Sequence, residues 1–101
     1  MKQSIKKLIT IEDLFFSVEH GVIISGTNTH FDTISNSEII SLIGNHISMI
    51  INNKKKSSQV KRVDISISII GKKNINICLG KNLNVNDIMI GLDIFTAFDE
   101  P

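Results

Sequence analysis

The chain of 101 residues has no tryptophan, no tyrosine, one cysteine and one proline, and its only aromatic residues are five phenylalanines. Each shortage excludes something. A lone Cys78 forbids an internal disulfide and a cysteine-based zinc cluster. So thin an aromatic set offers no stacking platform of the kind single-strand nucleic-acid binders use. Lysine and arginine number 11 against 10 acidic residues, and a net charge of +1 gives no global field to steer nucleic acid or membrane. No apolar run approaches the roughly 18 residues of a membrane-spanning helix. Lys2, Lys6 and Lys7 are not followed by the apolar core of a signal peptide. The expectation is a cytoplasmic protein with no membrane partner.

What is present is a globular composition, 42% apolar and 21% charged. The length fits one domain spanning 1–101, with residues 1–7 expected to be flexible. Isoleucine dominates the apolar set, and its β-branched side chain favours strands. The organising stretch is 11–27. Leu14, Phe16 and Val18 alternate there with Phe15, Ser17 and Glu19, and Val22, Ile23 and Ile24 form a second β-branched run. Gly21 lies between the runs and can supply the positive φ of a tight connection, so the pair reads as a hairpin ended by Gly26.

Downstream, 28–37 reads as a polar loop containing Phe31, and 52–59 as a solvated loop carrying Lys54, Lys55 and Lys56. Residues 60–70 alternate as a strand through Val63, Ile65, Ile67 and Ile69. Residues 74–79 and 87–95 repeat the pattern, the latter with Ile88, Ile90, Leu92 and Ile94 on one side. Residues 80–86 read as a loop and 97–101 as an acidic tail. The segment 35–53 has two readings. Ser35 followed by Glu38 is a capping box, and Ser41, Asn45, Ser48 and Asn52 make a polar stripe at helical spacing. Alternatively 38–43 and 47–51 are two strands with Gly44-Asn45 as their turn.

The stretch from Ile11 also resembles a known pattern. Ile11, Glu12, Asp13, Leu14, Phe15, Gly21, Ile23, Ile24 and Gly26 fall without a gap on I-E-D-V-F-x-I-x-G-x-G-x-V-V-x-G. That pattern opens domain 2 of the translational GTPases, the β-barrel of elongation factor Tu. Glu19 replaces the first loop glycine. Later pieces follow in order. Ile34, Ser37-Glu38, Ile40, Leu42, Ile43 and Gly44 resemble I-x-V-G-D-E-V-E-I-V-G, and Val63-Asp64-Ile65 resembles V-x-x-I-E-M. Residues 74–79 resemble A-G-D-N-V-G-I-L-L, and Leu83, Asp87, Ile88 and Gly91 resemble G-I-x-x-x-D-I-x-x-G, with Asn82 in place of a glycine. The resemblance implies an all-β fold, a small, closed, mainly antiparallel barrel of the translation-protein type. The alternative is α+β, with a helix at about 36–52 packed on an antiparallel sheet. No G-x-x-x-x-G-K-[ST] phosphate loop occurs, so no nucleotide and no cofactor is expected here.

Candidate chemistry is sparse. His20, His30 and His46 lack metal-ligand spacing and read as surface or loop residues, with His46 half-buried on an apolar side. Cys78 has no base beside it in sequence and reads as structural. Lys54, Lys55 and Lys56 with Lys61 and Arg62 form the one basic concentration, which Lys72 and Lys73 could join in space. A solvated loop competes there with a phosphate-binding rim. The expectation is a non-catalytic binding module for a protein or RNA of the translation apparatus, with Phe31 as aromatic anchor and Lys54, Lys55, Lys56, Lys61 and Arg62 around it. A small immunity- or antitoxin-like inhibitor that binds a partner enzyme is the alternative, and a domain that only dimerises is a third.

Overall fold

Eight strands and one α-helix are found in the computed structural model, which describes residues 5–81 and 85–97. The strands are β1 Lys7–Thr10, β2 Asp13–Ser17, β3 Gly21–Gly26, β4 His46–Ile51, β5 Lys54–Gln59, β6 Arg62–Ile67, β7 Lys73–Gly80 and β8 Asp93–Thr96. They form two four-stranded antiparallel sheets, ordered β1-β8-β4-β5 and β2-β3-β7-β6. The chain is therefore mostly β. No pairing among the described residues closes the two sheets into a ring.

Two corners carry the chain from one sheet into the other. At the first, Ile11 N–H donates to Leu92 O (2.9 Å), on the β8 side, while Glu12 N–H donates to Ser25 O of β3 (2.8 Å). At the second, Val60 N–H donates to Asn45 O and Lys61 N–H to Cys78 O, both at 2.8 Å. Backbone pairing thus passes through each corner with donors satisfied, as buried chain requires.

The core lies between the sheets. Val22, Ile24, Ile75, Ile77 and Leu79 face Ile9, Ile47, Met49 and Ile94, all at 2% exposure or less. Ile39, Ile43, Phe31 and Ile88 complete the same cluster. Full burial of such a side chain contributes about 1.5–3 kcal/mol. The Cα radius of gyration is 13.2 Å, against about 13 Å for a compact chain of 100 residues.

The segment 35–53 divides between its two readings. Helix α1 spans Asn36–Ile43 and β4 follows directly. Ser35 is the N-cap, its hydroxyl accepting from Glu38 N–H at 3.1 Å and meeting Glu38 Oε1 at 3.2 Å. Gly44 ends the helix at φ +67°, a conformation open to glycine at little cost. A helix over 36–52 is thereby corrected to eight residues, and the proposed strand over 38–43 is corrected to helix.

Other expectations need correction. Residues 52–59 form no open loop: Asn52 and Asn53, at φ 53° and 65°, make the two-residue turn of a β4–β5 hairpin, where both central residues take positive φ. β6 stops at Ile67. Ser68 then anchors the turn, its N–H donating to Lys72 O (2.9 Å), and Ile69 and Ile70 are left in solvent. In 87–95 only Asp93 onward is strand, and Ile90 is exposed. His46 is exposed, not half-buried. The expected features at 1–4, 82–84 and 98–101, including the match at Asn82 and Leu83 and most of the acidic tail, lie outside the described residues.

Candidate docking edge

Each sheet has two outer strands, and three of these four edges are shielded. Beside β1, Asn28 Nδ2 donates to Leu8 O at 2.8 Å, so a side chain occupies part of the backbone edge. β5 presents Lys54, Lys55 and Lys56, all exposed. β6 carries Arg62 and Asp64, paired at 2.9 Å. Charges, lysine above all, are the usual means of keeping another strand from adding to an open edge.

Among the described residues, β2 has no such protection. Its sequence is Asp13-Leu14-Phe15-Phe16-Ser17, with its only charge at the first position. Phe15 is 53% exposed, Phe16 64%, and Val18 just beyond 82%. On one side β2 pairs with β3 in continuous register from Asp13↔Ser25 to Ser17↔Gly21. On the other side it ends the sheet. Alternate backbone N–H and C=O groups of such a strand face outward, a template for a further strand.

The hairpin is held firmly although its flank is open. Ser17 Oγ accepts from the N–H groups of Glu19 (3.2 Å) and His20 (3.3 Å), which fixes the turn. At the other end Glu12 Oε2 accepts from the N–H and hydroxyl of Thr27, at 3.1 and 2.5 Å. The edge is thus prearranged, which lowers the ordering cost of binding.

The residues expected to form a site are scattered. Phe31, in a 3-10 helix over Thr29–Thr33, is 2% exposed and belongs to the core; as an aromatic anchor it is corrected to a lid. Lys54, Lys55 and Lys56 lie on β5 at the edge of one sheet, whereas Lys61 and Arg62 stand at the corner leading into the other. Lys72 and Lys73 do not join the Lys61–Arg62 corner, because Lys73 pairs with Ile67 at the far end of β6. Lys73 is buried, its Nζ donating to Ile34 O (2.5 Å) and its N–H to Asp32 Oδ1 (2.8 Å).

Cys78 points to the outer face yet is 7% exposed, because the β2–β3 turn covers it and its thiol donates to His20 O at 3.3 Å. It borders a cleft of about 320 Å³ with Glu19, His20, Lys61, Gly80 and Lys81. Among the described residues no three of His, Cys, Asp and Glu gather as a metal site would require, and no helix is long and apolar enough to cross a membrane.

Alternation set Phe16 and Val18 on one face of the strand with Leu14 and did not show that both stand exposed beside Phe15 at this edge. A signal was present: two adjacent phenylalanines cannot both follow a period-two burial pattern, so one of Phe15 and Phe16 had to face outward. Comparison with protein-family models, with curated proteins and with solved structures finds no match.

Proposed function

We propose that the chain is a non-catalytic binding module that takes a protein partner along β2. The observation that carries this reading is the contrast among the edges: three are shielded, and the fourth exposes Phe15, Phe16 and Val18. Strand addition supplies affinity through main-chain hydrogen bonds and specificity through alternate side chains. Aromatic residues, phenylalanine included, are enriched at protein–protein interfaces relative to the rest of the surface.

The same reading keeps the relationship to domain 2 of elongation factor Tu, with the two sheets as parts of one barrel and the partner drawn from the translation apparatus. The ordered motif matches on either side of 34–44 support it, while 34–44 itself, a strand and turn in that family, carries α1 here. The corners at Ile11-Glu12 and Val60-Lys61, where the chain passes from a strand of one sheet into a strand of the other, support it too. It rests on analogy of fold, and function belongs to the site. Lys61, which borders the cleft beside Glu19 and His20 of the β2–β3 turn, adds a positive charge at one end of this sheet that would speed encounter with an acidic partner. A protein suits this edge better than RNA, because its exposed groups are apolar and the lysines are dispersed.

The test is capture from lysate by the immobilised chain and by its Phe15→Lys variant, each with and without ribonuclease. A stoichiometric translation protein that survives ribonuclease and is lost with Phe15→Lys supports the reading. A bound fraction destroyed by ribonuclease and unaffected by Phe15→Lys overturns it in favour of RNA. A single stoichiometric enzyme, inhibited on binding, would place the chain in the inhibitor class instead.

A further inference from the structure

The β2 edge complements itself. We propose that two copies of this chain pair antiparallel through β2, centred on Phe15, so that the sheet β2-β3-β7-β6 runs across a twofold axis into its copy. The proposal rests on β2 being a docking edge and names one occupant for it.

The register follows from symmetry and charge. A twofold axis relating two antiparallel edge strands stands perpendicular to the sheet, so the core-facing side of one copy continues into the core-facing side of the other. Only registers centred on a residue then keep like faces together. Centred on Phe15, all five strand residues find partners: Asp13 faces Ser17, Leu14 faces Phe16, and Phe15 faces its own copy. Beyond the strand, Glu12 falls opposite Val18, with its carboxylate already held by Thr27.

The neighbouring registers are worse. Centring on Leu14 sets Asp13 against Phe15 and Glu12 against Phe16. Centring on Phe16 sets Asp13 against Glu19, and like charges directly opposite are destabilising. Of these registers only the Phe15-centred one sets no carboxylate directly opposite another or opposite an aromatic ring. It also pairs Phe15 with Phe15 and Leu14 with Phe16, the aromatic and aliphatic cross-strand contacts that stabilise sheets.

Two five-residue strands make a small interface, so the pairing is reversible and depends on concentration. The self-paired form is then a resting state in which the copy shields the edge, and a partner's strand competes with the copy for the same backbone groups.

Sedimentation equilibrium from micromolar to millimolar concentration tests this. The unmodified chain, 11.2 kDa, is expected to shift from one-chain to two-chain mass. Phe15→Lys and Phe15→Glu are each expected to stay single, because like charges meet across the axis, while an equimolar mixture of the two recovers the two-chain species. Phe15 is exposed, so both variants should retain the native circular dichroism spectrum. Amide exchange on the unmodified chain needs no variant: β2 amides should slow as concentration rises, while those of β5 and β6 do not.

A chain that stays single throughout, a Phe15→Lys variant that still dimerises, a mixture that fails to reassociate, or exchange that slows equally at all edges would each overturn the Phe15-centred dimer. A chain that stays single yet loses a lysate partner on Phe15→Lys overturns self-pairing alone and leaves the docking edge in place.

Discussion

The carbonyl oxygen of Gly80 occupies the space where Gly21 would carry a side chain: a Cβ placed on Gly21 lies 2.0 Å from that oxygen. Gly21 also sits at φ +80°. The register shifts at this point, where Gly21 and Val22 oppose the single Gly80 across β3 and β7. Gly21→Ala therefore meets two penalties, about 1–2 kcal/mol for the left-handed backbone and a further penalty for displacing β7. Gly71→Ala isolates the first, since Gly71 has φ +82° and open space, with nothing within 4 Å, where a Cβ would stand. Urea denaturation is expected to show Gly71→Ala destabilised by about 1–2 kcal/mol and Gly21→Ala by clearly more. Equal losses would mean that β7 yields freely at Gly80.

The Ser35 cap makes a second prediction. Its hydroxyl satisfies Glu38 N–H, one of the donors that a helix start leaves without an intrahelical partner. Helix α1 has eight residues, too few to persist without packing and caps. Ser35→Ala is expected to lose about 1 kcal/mol, and Ser35→Asp to lose far less because a carboxylate also caps. Thermal melts of both variants check the order.

The cap was legible in the sequence because it is a local device, four residues long and tied to one hydrogen-bond pattern. The end of the helix was less legible. The polar stripe runs on through Asn45, Ser48 and Asn52 at helical spacing, yet Gly44 takes positive φ and the chain turns into β4. Gly44 carried the correct signal, and the stripe carried a false one. Alternation failed in a similar way at Ile69, where the pattern outlasts the strand because a Ser68-centred turn replaces it. The candidate site was least legible of all. Whether Phe16 is buried depends on what lies across from a hairpin end, a long-range fact that no local period encodes. Phe31 went the other way: a phenylalanine in a polar stretch was buried by a 3-10 helix folding it onto the core.

Lys73 carries a third prediction. Its N–H donates to Asp32 Oδ1 and its ammonium to Ile34 O, so one residue ties the start of β7 to the segment before α1. Asp32→Ala leaves a backbone donor at a buried residue without its acceptor, a loss of about 1–3 kcal/mol. Lys73→Met keeps most of the aliphatic stem and leaves the Ile34 carbonyl unpaired, with a loss in the same range. Because the two substitutions act on one tether, the double variant should lose less than the sum. A double-mutant cycle by urea denaturation reads this, and strict additivity would show two separate contacts.

The last prediction concerns the contrast between guarded and open edges. Lys54 and Lys56 pair across from Ile51 and Met49, and Lys55 from Ile50. These lysines place charge along the whole first half of an edge strand. Replacing all three with threonine keeps β propensity and removes the deterrent. Native stability is expected to change little, since each lysine is exposed. Solubility is expected to fall, with light scattering rising steeply with concentration. Adding Phe15→Lys to that triple variant should leave the scattering in place, because it guards a different edge. If Phe15→Lys instead abolished the scattering, β2 would be the edge through which the chains grow, and the lysines of β5 would be acting through net charge alone.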